Sequence, residues 1–213
     1  SELNKTMQAQ IKKKDTYKMG IDTLFNLRRQ LMQTLVSFKE DLCREDFNAI
    51  PFINADGYHS KTIAYSIWHI FRIEDIVAHT VITEDEQVFF TGNYQVRINS
   101  PIITTGNELV KQQIADFSKQ LNLEELYSYI FEVRESTEKI LERFSYDELK
   151  WKIPDERKGY LKSLNVVNCD EKAIWLIDYW CNKDICGLIQ MPFSRHWIMH
   201  TEACLRIKNK IHS

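Results

Sequence analysis

The stretch Lys61–Val81, KTIAYSIWHIFRIEDIVAHTV, decides the fold class. Its apolar residues Ile63, Ile67, Ile70, Val77 and Val81 recur at steps of three, four and seven, the repeat of one helix face. Further apolar side chains occupy most of the remaining circumference, and the polar arc is narrow: Lys61, Arg72, Asp75 and His79. A helix apolar over this much of its circumference exceeds what one bundle core requires.

Three more segments carry the same period. Apolar residues from Asp15 to about Leu42 (Ile21, Leu24, Leu31, Leu35, Phe38 and Leu42) describe one amphipathic stripe. Asn122, with Glu125 three residues on, is placed to cap a helix whose stripe runs Leu126, Ile130, Val133, Thr137, Ile140 and Phe144. Pro192, favoured in a first helical turn, opens a fourth segment to about Ile211. Asp170 can cap a shorter helix, Glu171 to about Cys181. The segment Asp85–Asn107 reads as loop with a short strand, broken by two glycines and Pro101. About 39 residues separate the second and third long helices, enough to cross the length of a bundle and return. The expectation is a single all-α domain over 1–213: a four-helix bundle with a long central crossover and a short helix added before the last.

Composition narrows the function classes. The 213 residues carry 28 Lys and Arg against 30 Asp and Glu, a net charge of −2 that offers no basic footprint for nucleic acid. Six Gly and four Pro are too few for a turn-rich β fold. The five cysteines are odd in number and lack CxxC spacing, so reduced thiols and a cytoplasmic setting are expected. No apolar run reaches the roughly 20 residues of a membrane span. The opening SELNKTMQAQIKKK has no apolar core, so no signal peptide is expected, and Ser1 in place of Met reads as a processed end.

The residues that could do chemistry are histidines. His196 and His200 stand one helical turn apart, so both imidazoles can reach one cation, although HxxxH alone identifies no site. The Glu of the HExxH metalloprotease motif is missing, because Trp197 follows His196. On a wheel with Ile63 at zero and 100° per residue, His69 falls near 240°, away from the polar arc. It is there as a ligand or as a satisfied core residue. His79 lies in the polar arc and His59 precedes the helix; both read as solvated, and His212 sits at the chain end. Glu74 falls at about 20°, inside the apolar stripe. There it is a hydrogen-bond acceptor behind the ligands or a general base, or, the favoured reading, pairs with an arginine across a helix or a dimer interface. Arg72 and Arg195 flank the candidate ligands and could hold an anion, with a structural or solvated role favoured. Cys204, a turn beyond His200, reads as a buried hydrophobe rather than a soft ligand. Trp68, Trp180 and Trp197 read as core.

SIWHIFRIED on one helix, the long crossover and the closing PFSRHWIMHTEACLRIK together resemble the DinB/YfiT-like superfamily, which includes damage-inducible and bacillithiol-transferase relatives. The resemblance implies a four-helix bundle with a three-histidine site, its ligands here His69, His196 and His200. It implies a divalent cation, zinc or nickel foremost, and thiol transfer or hydrolysis on a small molecule such as a low-molecular-weight thiol. Asp85–Asn107 and Glu171–Gln190 depart from the family pattern. Three imidazoles leave a coordination position open, as catalytic zinc sites do. The alternative is a non-catalytic helical protein whose histidines or metal are structural. Excess apolar surface on the second helix, with Phe25, Leu27 and Met32 on the first, predicts a homodimer.

Overall fold

A computed structural model describes residues 1–213. The fold is all-α, and its one extended pairing is an isolated antiparallel bridge between Lys152 and Asp184. The α-helices are α1 (Glu2–Ile11), α2 (Tyr17–Asp41), α3 (Arg44–Asn48), α4 (Ile63–Asp75), α5 (Val88–Thr91), α6 (Tyr94–Ile98), α7 (Gln112–Gln120), α8 (Leu123–Glu142), α9 (Glu156–Ser163), α10 (Glu171–Cys181), α11 (Ile185–Gln190) and α12 (His196–Ile211). None is long and apolar enough to cross a membrane.

The expected caps form. Asn122 accepts a hydrogen bond from the Glu125 amide at the start of α8, and Asp170 accepts from the Lys172 amide at the start of α10. Thr62 caps α4 in the same way, its hydroxyl oxygen 3.0 Å from the Tyr65 amide nitrogen. Two segments depart from regular α geometry. Beyond Asp75 the backbone continues as a wider π-helix, Ile76–Thr83, and α12 is preceded by another, Met191–Arg195, which contains Pro192. Both wide segments adjoin helices that carry the candidate ligands.

Helices α2 and α4 each lie against both α8 and α12. A buried polar cluster ties all four together. Arg28 of α2 grips Glu74 of α4 in two hydrogen bonds, 2.6 and 3.0 Å, and reaches Glu138 of α8 at 3.1 Å. Trp197 of α12 donates its indole N–H to Glu74 at 2.6 Å, and its ring lies against the Arg28 guanidinium. An arginine does answer Glu74, but it comes from the same chain.

Two expectations are corrected. Asp85–Asn107 contains no strand: it forms α5 and α6 followed by irregular backbone. The cause lies in the polar arc of α4, which anchors this crossover instead of facing water. Asp75 accepts from the amides of Val88 and Phe89 at 2.9 and 2.8 Å, capping α5. His79 is buried rather than solvated, bonded to Asp85 at 2.7 Å and Ser136 at 2.8 Å.

The core falls into two apolar clusters. One surrounds the first half of α4, with α7, α8 and α12; the other surrounds Ile76–Val81, with α10 and α11. Every residue of α4 is buried within one chain, as are Leu27 and Met32. Of the residues from which the sequence predicts a homodimer, Phe25 is half-buried.

Candidate metal centre

The cap at Thr62 starts α4 so that His69 lies two turns in, and regular geometry from His196 onward places His196 and His200 one turn apart. The three rings meet. Their centroids are 5.0 Å (His69 to His196), 4.8 Å (His69 to His200) and 4.5 Å (His196 to His200) apart. One ring nitrogen from each lies within 4.8 Å of those of the other two. The side chains are 5, 8 and 4% exposed, and all three line one cavity of about 720 Å³.

Neighbouring groups orient the site. Nδ1 of His69 is 2.7 Å from the Thr105 carbonyl oxygen and donates to it, which leaves Nε2 as the basic nitrogen. Tyr65, one turn before His69, stacks on its ring at 5.3 Å and donates its hydroxyl to the Gly106 carbonyl at 2.9 Å. Gly106 has φ +78°, and a Cβ there would sit 2.9 Å from the Tyr65 ring, so glycine alone fits. Arg72 fixes the same segment by donating to the Ile103 carbonyl at 2.6 Å. The segment 103–106 thus reaches the site through backbone carbonyls held by side chains of α4.

The donor set suits a cation. Nδ1 of His196 and of His200 are buried without a hydrogen-bond partner, a costly state that coordination through those nitrogens would relieve. Burial pushes the His69 pKa down to about 4, assisted by the positive charge of Lys61 and opposed by the bond to Thr105. Burial first, then the neighbouring imidazoles, hold His196 and His200 well below the usual histidine range. All three are therefore neutral at pH 7, the form that binds metal. No carboxylate or thiol joins them. Burial pushes the Cys204 thiol up to about 12, and it packs in the apolar cluster with Trp197.

Comparison with protein-family models and with curated proteins finds no match to this chain. The case therefore rests on the geometry of the site.

Of the remaining sequence candidates, Trp180 alone reaches the cavity. Glu74 belongs to the buried cluster with Arg28, and Arg72 is spent on Gln87, Tyr129 and the Ile103 carbonyl. Arg195 is exposed. Trp68 and Trp197 are core, whereas Trp180 lines the cavity. His59 is half-buried beside Arg206, and exposed His212 lies 3.3 Å from Asp46. Sequence reasoning passed over Tyr65 and Lys61 as site residues, although the i−4 spacing of Tyr65 puts it on the same helix face as His69; Lys61 precedes the helix and carried no such signal. Thr105 and Gly106 carried no such signal.

Proposed function

We propose that this protein is a metal-dependent enzyme of the DinB-like kind, with α2, α4, α8 and α12 as its four-helix bundle. His69, His196 and His200 hold one divalent cation, zinc or nickel foremost, and the substrate is a small molecule that undergoes thiol transfer or hydrolysis. One observation carries this reading: three neutral, buried imidazoles converge on the wall of a cavity of a volume that admits a small organic ligand. A metal that only clips helices together is enclosed by four protein ligands, whereas this set offers three and opens on a cavity.

The chain's own residues bind and orient. His69 is fixed in one tautomer by Thr105, and Tyr65 keeps its ring from turning. Burial keeps protons off the three rings at neutral pH. A divalent cation held there supplies Lewis-acid activation of a water or a thiol.

The test begins with elemental analysis of protein purified without a histidine tag and dialysed against zinc or nickel. One equivalent per chain is expected in the wild type, and little in His69→Ala or His200→Ala. Screens with low-molecular-weight thiols plus electrophiles, and with ester and amide substrates, should then give turnover that chelation abolishes. A wild-type protein that stays folded and takes up no metal would overturn the reading.

A further inference from the structure

The cavity beside the histidines is unequal in charge. Three lysines line it, Lys61, Lys111 and Lys172, against a single carboxylate, Asp56. Two of the lysines have ordinary settings: Lys172 is paired with Asp170 at 3.5 Å, and Lys111 is exposed. Lys61 differs. It is half-buried, no carboxylate lies within ion-pair distance of it, and its ammonium lies 5.3 Å from the centre of the Tyr65 ring that stacks on His69. Its charge is felt at both His69 and His200. A partly desolvated ammonium with no anionic partner, placed next to cation ligands, is unfavourable unless an anion joins it.

The rest of the cavity is of a different kind. From α10 come Trp175, Tyr179 and Trp180, and from α12 comes Met199. Trp175 is 50% exposed with its ring 5.5 Å from that of Tyr179, an apolar surface left open to solvent at the cavity.

We infer that the substrate is an amphiphilic anion, with a carboxylate or phosphate-type group bound by Lys61 beside the histidines and an apolar body lying along Trp175 and Tyr179. This rests on the reading of the histidine cluster as the reaction centre. Lys61 is a binding residue, and the anion it holds fixes which end of the molecule faces the three imidazoles.

Binding of 4-phenylbutyrate and of its neutral amide, followed by calorimetry and by tryptophan fluorescence on the full chain, tests the inference. The acid should bind about tenfold tighter than the amide, a charge-assisted contact against a neutral one. Lys61→Met retains the apolar stem over Tyr65 and should abolish that preference, with far-ultraviolet circular dichroism showing that the variant is folded. Lys172→Met should keep the preference. The series is run on chelated and on metal-loaded protein. Equal binding of acid and amide, binding of neither, or a preference that survives Lys61→Met would each overturn the inference. Failure of the metal-centre reading shows separately, as an absence of metal in the elemental analysis.

Discussion

Glu74 shows how much one residue can decide. Its carboxylate accepts from Arg28 and from the Trp197 indole with no solvent exposure, and Arg28 also reaches Glu138 and the Phe193 carbonyl. Removing one member of a buried ion pair strands the other charge and costs about 3–5 kcal/mol, whereas replacing both by apolar groups of similar volume is often neutral. Glu74→Ala is therefore expected to lower unfolding stability by that amount in urea titration. The double variant Arg28→Met/Glu74→Leu should recover most of the loss. Equal stability of Glu74→Ala and wild type would show that the cluster holds nothing together. At this scale the sequence is informative where the relation is local. The His196–His200 spacing and the wheel angle of His69 point to the site because helical geometry converts both directly into position. The demand of Glu74 for an arginine is legible as well, but Arg28 lies 46 residues away, and no periodicity connects them. The Thr105 carbonyl is beyond reach for a stronger reason: backbone acceptors look alike at every position.

Among the elements, the periodic helix α2 and the capped helices α8 and α10 are legible, and α4 and α12 are legible in extent. The wide segments Ile76–Thr83 and Met191–Arg195 are not, because five-residue bonding leaves no mark in a 3.6-residue apolar repeat. Helix α1 escapes notice since its polar composition hides a two-residue contact face, Met7 and Ile11. Its docking depends on Gly20 in the first turn of α2, where a Cβ would lie 2.8 Å from the Ile11 backbone nitrogen. In an exposed helix, Gly→Ala would gain up to about 1 kcal/mol. Here the close backbone contact has to open, at the overpacking cost of about 1–3 kcal/mol, so Gly20→Ala is expected to destabilise overall. Thermal unfolding should show a lower midpoint, and amide exchange in Glu2–Ile11 should accelerate. A raised midpoint would mean that α1 does not pack on α2 in this way.

For the whole molecule, the site and the stability of the fold are coupled through protons and metal. The folded chain keeps His69 unprotonated down to about pH 4, and His196 and His200 are depressed too. The unfolded chain takes up protons on the same residues as the pH falls through about 6.5. The unfolded state therefore binds more protons between those limits, and stability declines as pH falls from about 6.5 to 4, by up to about 1.4 kcal/mol per pH unit for each histidine. Above 6.5 the three contribute no slope. A divalent cation binding only the folded state adds RT ln(1 + [L]/Kd), about 2.7 kcal/mol at a hundredfold excess over Kd. Protonated imidazoles cannot ligate, but the folded rings stay unprotonated to about pH 4, so that increment should persist through most of the acid limb. Chelation should accordingly lower the melting temperature both at pH 7.5 and near pH 5. Replacing His200 by Gln should remove the chelator effect and make the acid limb shallower by about one proton. Urea titrations between pH 7.5 and 4.5, with zinc or with chelator, measure all of this. A stability profile flat across that range would mean that the three imidazoles are hydrated rather than buried, and the convergence of His69, His196 and His200 on one dry point would have to be abandoned.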